Sequence, residues 1–284
     1  MSALEPIIRN ISDTALWAAV YRARESERPD AIVKDPLARR LAGARGEQIA
    51  DAFPFGERHA WTWVTRTYLF DGYIREQVKE GADMVVNLAA GLDTRPYRMD
   101  LPSSLLWVEV DLPDLLDYKE EVLTSESPRC RLERVRLDLS NRDARRALFR
   151  ELGARAKKAL IVTEGLIIYL TAEQVGELAR DLAGPSSFER WALDLASPGL
   201  LGLLQRELQP RLTEGGAKMQ FGPKEGPLFF LPYGWKPLEV RALLKTAARL
   251  RRLSLFMRLL ALLPASNGEQ GSRPWSGICL FARE

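Results

Sequence analysis

VVNLAAGLDTRPYR, residues 85–98, decides how the rest of the chain is read. A short apolar run passes into a loop of small residues, Ala89, Ala90 and Gly91. Such a strand delivers its carboxyl end to a ligand, because small side chains let a ligand approach the backbone closely. A dinucleotide loop would carry glycines as G-x-G-x-x-G so that a pyrophosphate can meet the backbone and a helix N-terminus. Only Gly91 is present, and the continuation LDTRPYR is bulky. There is no G-x-x-x-x-G-K-S/T either. The loop suits a nucleoside ligand without a diphosphate.

Outward from this loop, apolar strands recur at 83–88, 105–111, 131–137, 158–163 and 188–195. Helical stretches at 112–124, 142–152 and 171–183 separate them. Strands alternating with helices predict an α/β fold with a doubly wound, mostly parallel sheet, whose ligands sit at the carboxyl ends of the strands. Two late strands, 234–241 and 276–283, bring the sheet to seven. Before the first strand, residues 1–80 form a helical layer. One helix is expected over 13–28 with Asp13 as its cap, a short one opening at Asp35-Pro36, and a longer one over 57–79 stopped by Gly81. Between the late strands, about 242–263 reads as a basic amphipathic helix. Its pattern suits a helix packed on the sheet or over the pocket, and also a helix lying on a membrane surface. No repeat or linker divides the chain, so residues 1–284 are expected to be a single domain.

Composition narrows the function. Of 284 residues, 46% are hydrophobic and 28% charged, enough to bury a large core. The net charge of +3 is small and its lysines and arginines are dispersed among acids, which argues against a nucleic-acid partner. Cys130 and Cys279 stand far apart and read as idle thiols, so neither a disulfide nor a metal site is expected. The first 30 residues are charged throughout and no apolar run reaches the roughly 18–20 residues of a membrane span, giving the expectation of a cytoplasmic protein. The single histidine, His59, precedes a Trp-rich helical stretch, has no G-x-S-x-G elbow to serve, and is expected to be structural.

Polar groups stand at successive strand ends. Gly91 follows the first strand, Asp111 ends the second, Asp138-Leu139 ends the third, and Thr163-Glu164-Gly165 ends the fourth. An acid after the second strand can accept both ribose hydroxyls. Asp138 can accept from an adenine amino group, with Leu139 adding an apolar contact. These features suit adenosine without phosphates, and the common cellular ligand of that description is S-adenosylmethionine.

At this point four segments, NLAAGLDTRPYR, VEVDLPDLLDYK, LDLS and VTEGLIIYL, resemble the leucine carboxyl methyltransferase family. With the N-terminal SDTALWAAVYRARESERPDAIVKDPLARRLAG, the chain is most similar to its bacterial branch of tetracenomycin-type polyketide carboxyl O-methyltransferases. The resemblance runs from about residue 10 to the C-terminus. It implies the class I methyltransferase, Rossmann-like fold, with S-adenosylmethionine as cofactor. It also implies that Ala89 belongs to the cofactor site, Gly91 lies against the methionine part, Asp111 holds the ribose, Asp138 and Leu139 flank the adenine, Glu164 meets the ammonium, and Arg66 pairs with the carboxylate. Tyr169 is expected to face the acceptor, a small molecule such as a polyketide-like acid. A carboxylate acceptor is ionised at neutral pH and requires no general base, which accords with a chain holding one histidine. A non-catalytic adenosyl-binding module and a nicotinamide oxidoreductase are the alternatives.

Overall fold

The computed structural model describes residues 7–262 and 273–284. In chain order the described strands are β1 (Met84–Leu88), β2 (Leu106–Asp111), β3 (Arg131–Arg136), β4 (Ala159–Thr163), β5 (Phe188–Ala196), β6 (Trp235–Ala242) and β7 (Ser276–Arg283). Four helices precede β1: α1 (Asp13–Ser26), α2 (Ala38–Ala52), α3 (Pro54–Arg58) and α4 (Ala60–Lys79). Then come α5 (Arg95–Arg98), α6 (Pro113–Val122), α7 (Arg142–Arg155), α8 (Ala172–Leu182), α9 (Pro198–Glu207), α10 (Gln209–Leu212), α11 (Leu243–Arg249) and α12 (Leu255–Leu260).

The strands form one seven-stranded sheet in the order β3-β2-β1-β4-β5-β7-β6. β1 to β5 run parallel, while β7 is antiparallel to both β5 and β6. Side chains alternate across the sheet. Met84, Val86 and Leu88 of β1 pack with α7 and α8 on one face, and Val85 packs with α4 on the other. Every residue of β1, β2 and β4 is buried, as a strand covered on both faces requires. A third apolar cluster joins α1 and α2 to Leu115 and Leu123 around α6, so the N-terminal helices share a core with the sheet's own connections.

Several boundaries differ from the sequence expectation. Asp13 is not the cap of α1. It lies in the first turn, where its carboxylate accepts from the Arg9 backbone at 2.8 Å and from Arg45 at 3.2 Å. Pro36 precedes α2, which starts at Ala38, and the buried Asp35 carboxylate binds Arg22 at 2.9 Å. The expected helix over 57–79 is two, α3 and α4, divided at His59.

The expected helix over 242–263 is also broken. α11 ends in a closure in which Arg252 N–H bonds Ala247 O at 2.9 Å and Arg251 N–H bonds Ala248 O at 3.1 Å. Arg251 sits at φ +57°, the left-handed conformation that ends helices. Arg252 is held against α1 by Glu25 at 2.9 Å, and Leu253 is buried, so tertiary contacts fix the break. The last residue of that expected helix, 263, lies outside the described residues. Among the described residues no helix is long and apolar enough to cross a membrane.

Candidate functional site

The strand order reverses between β1 and β4, which opens a crevice at their carboxyl ends. The loop after β1 turns there with Ala89 at φ +52° and Gly91 at φ +51°. A left-handed alanine costs roughly 1–2 kcal/mol, so this backbone is held by its surroundings. Gly91 N–H donates to Asp111 Oδ2 at 2.6 Å, and Leu112 N–H donates to Asp111 Oδ1 at 2.7 Å. The acid at the end of β2 thus pins the loop after β1 and, among the described residues, has no cation bonded to it. Burial pushes the Asp111 carboxyl above the usual aspartate range. Beyond β3, Asp138 is exposed and accepts from Ser140 N–H at 2.8 Å, while Leu139 is half-buried. Asp138 does not cap the next helix. That task falls to Asn141, whose side chain accepts from Ala144 N–H.

Across the crevice lies a buried network of alternating charge. Arg95 donates to Asp71 at 2.6 Å, to Asp93 at 2.8 Å and to Glu164 at 2.8 Å. Arg98 binds both oxygens of Asp71, at 2.6 and 2.7 Å. Arg66 donates to the other oxygen of Glu164 at 3.0 Å and lies 3.4 Å from Asp194. Burial alone would raise the Asp93 carboxyl, but Arg95, Lys119 and Arg98 outweigh it and hold it down to about 2. Asp194, bonded to Gly165 N–H at 2.7 Å, is pushed the other way by its burial. Gly165 takes φ +71°, and a Cβ there would stand 3.3 Å from Arg66 Nη1.

These groups open into one cavity of about 1480 Å³. Arg66, Ala89, Gly91, Asp111, Asp138, Leu139, Glu164 and Tyr169 all line it. Burial raises the Tyr169 phenol, against the lowering effect of the nearby Arg66. His59 stacks on Phe55 with ring centroids 4.1 Å apart, and its Nδ1 lies 2.8 Å from Phe55 O. It stands at the α3–α4 break and also lines the cavity, which its sequence context did not show. Cys130 and Cys279 are buried away from the site, their thiols raised by burial, Cys130 to about 11.

Sequence reasoning did not find Asp71, Asp93, Arg95, Arg98 or Asp194. An Asp-x-Arg pair directly after the first strand was the available signal for Asp93 and Arg95. Asp194, an acid inside the apolar fifth strand, was visible in the same way as Asp111.

A sheet in this order with its last strand reversed is the class I methyltransferase architecture, whereas the acid at the end of β2 is a feature that fold shares with dinucleotide dehydrogenases. Comparison with known proteins narrows this. Residues 15–183, more than half of the chain, match the model for leucine carboxyl methyltransferases. A Frankia alni protein, provisionally named an S-adenosyl-L-methionine-dependent methyltransferase, is 33% identical over 261 residues, covering 84% of this chain and 88% of its own. A Parafrankia protein of the same provisional name is 35% identical over 85% of this chain and 82% of its own. With a Mycolicibacterium paratuberculosis protein, also so named, identity is 34% over 63% of this chain, and the match spans 64% of that relative's length. Among solved structures, a DUF574 family protein from Streptomyces avermitilis superposes with a TM-score of 0.57 at 14% identity, over 94% of this chain and 96% of the other. A Thermobifida fusca protein, provisionally a methyltransferase, gives 0.56 at 13% identity, over 98% and 96%. At such identities these two speak for the fold alone. The chain belongs to the leucine carboxyl methyltransferase family, a family of S-adenosylmethionine-dependent methyltransferases.

Proposed function

We propose that this protein transfers the methyl group of S-adenosylmethionine to a carboxylate oxygen of an apolar, polyketide-like small acid. The observation that carries the reading is the cavity. At about 1480 Å³ it exceeds the roughly 300–1,000 Å³ of a site for one drug-sized ligand, so it has room for cofactor and acceptor together.

The residues present fit the cofactor. Asp111 offers a buried carboxylate without a cation, free to accept from ribose hydroxyls. Ala89 and Gly91 keep the loop bare of bulk where the methionine part would pass. Arg66 and Glu164, opposite charges 3.0 Å apart, match the carboxylate and ammonium of an amino-acid zwitterion. Asp138 and Leu139 would flank the adenine, and Tyr169 would face the acceptor. When bound, the cofactor supplies an electrophilic methyl group on a sulfonium.

The chain's own contribution is then alignment and exclusion of water. A carboxylate acceptor is ionised at neutral pH, so no side chain has to remove a proton. Orientation alone is worth effective molarities of roughly 10⁵–10⁸ M in well-aligned reactions. Helices α1 and α4 line the same cavity as the strand ends, so the helical layer and the sheet work as a single unit. The reading includes a small-molecule partner and a cytoplasmic setting.

One observation favours a second reading. A carbonyl only accepts, so the His59 Nδ1–H donates to Phe55 O, and in the neutral imidazole the lone pair is then on Nε2. Such a nitrogen in the cavity could serve as base for a phenol. Product chemistry separates the two. An acid acceptor gives a methyl ester that alkali hydrolyses to methanol, and His59→Ala keeps most of the rate. A base-stable ether, with a loss of about a thousandfold in His59→Ala, would move the acceptor to phenols.

A further inference from the structure

The charges that line the cavity are not evenly compensated. Arg22, Arg66, Arg95, Arg98, Arg142 and Arg145 each pair with a carboxylate. Two lining cations, Lys245 of α11 and Arg273 just before β7, form no ion pair among the described residues. Of the lining acids, Asp111 and Asp138 bond only backbone N–H groups.

The unbalanced groups lie at opposite ends of the sheet. Asp111 ends β2 and Asp138 follows β3. Lys245 follows β6, and Arg273 enters β7. Four strand spacings separate β2 from β7, about 19 Å at the usual inter-strand distance. The cavity walls also include Leu200, Leu204, Met257, Leu260 and Trp275. Lys245 is carried on a helix packed against α4, β6 and β7, and it is only half-exposed.

A cation beside apolar walls gains charge-assisted hydrogen bonds from an anion that enters with it. We infer that the α11–β7 end of the cavity is an anion-binding subsite, where Lys245 and Arg273 seat an acidic group of the acceptor while its apolar body lies among the leucines. The acceptor class is thereby an amphiphilic organic anion. This inference rests on the reading of the cavity as a joint site for cofactor and acceptor.

The test uses two fluorescent probes of the same ring skeleton on the full chain, with S-adenosylhomocysteine present. One is anionic, anilinonaphthalene sulfonate, and the other neutral, phenylnaphthylamine. The wild type is expected to bind the sulfonate more tightly. Lys245→Gln should weaken sulfonate binding about tenfold and leave the neutral probe unchanged, with Lys245→Arg restoring the preference. The double variant Lys245→Gln, Arg273→Gln should abolish it. The inference is overturned if the wild type shows no preference for the sulfonate, if the double variant keeps it, or if both probes weaken equally. Calorimetric titration of S-adenosylhomocysteine into the wild type separates the two levels. Normal binding with no anion preference removes only the subsite, whereas no binding removes the methyltransferase reading itself.

Discussion

Arg95 meets three carboxylates at once, Asp71, Asp93 and Glu164, and is almost entirely buried. Buried ions are costly to hold unless each is paired, and removing one partner strands the others. Arg95→Ala should therefore cost roughly 3–5 kcal/mol of stability, measured by urea denaturation. Asp93 adds an acid limb. Its carboxyl is depressed on folding from 3.8 to about 2, so the stability it contributes is full above the unfolded value and is lost as pH falls from about 4 toward 2. Asp111 has the opposite sign. Burial raises it, so the charged form is a cost to the folded state that is relieved as pH falls through the raised value. Cofactor binding needs that charged form as acceptor. Affinity for S-adenosylhomocysteine should fall with pH, at a midpoint above the ordinary aspartate range, and Asp111→Asn should flatten the profile in calorimetric titrations. Asp111 was legible in the sequence because it ends an apolar strand. The Arg95 network was not read as a whole, since its members come from α4, the loop after β1, α5 and the turn after β4, and only the Asp93-x-Arg95 pair is local in sequence.

Helix ends show the same division. α4 closes with Gly81 at φ +95°, Gly81 N–H bonding Val78 O and Ala82 N–H bonding Gln77 O. Glycine in that position announces the stop in the sequence. α11 closes with the same pair of bonds around Arg251, which carries no such signal, and an amphipathic pattern running through it reads as one helix. The break turns α12 so that Met257 and Leu260 line the cavity, while Leu255 and Phe256 are 79% and 68% exposed. The turn after β4 offers a test of element geometry. Gly165→Ala would place a Cβ in a left-handed backbone and 3.3 Å from Arg66 Nη1. The arginine must shift, which should weaken S-adenosylhomocysteine binding about tenfold or more, with a smaller loss of thermal stability.

For the whole molecule, the sheet order is what creates the site. Reversal between β1 and β4 gathers Gly91, Asp111, Asp138 and Glu164 at one rim, and the N-terminal helices close over it with Thr14, His59 and Arg66. Alternating strands and helices made the order of elements readable. The way the N-terminal layer covers the crevice was not readable, because Trp17, Tyr21 and Trp63 stack across α1 and α4 through contacts of long sequence separation. A cavity shared by the helical layer and the sheet ties binding to stability. At about one hundred times its dissociation constant, a ligand specific for the folded state adds about 2.7 kcal/mol.

The most direct test is calorimetric titration of the wild type and Asp111→Asn with S-adenosylhomocysteine and, separately, with NAD. The expected result is micromolar binding of S-adenosylhomocysteine to the wild type, about −8 kcal/mol, a loss of roughly 2–4 kcal/mol in the variant, and no useful binding of NAD. NAD bound and S-adenosylhomocysteine ignored would contradict it.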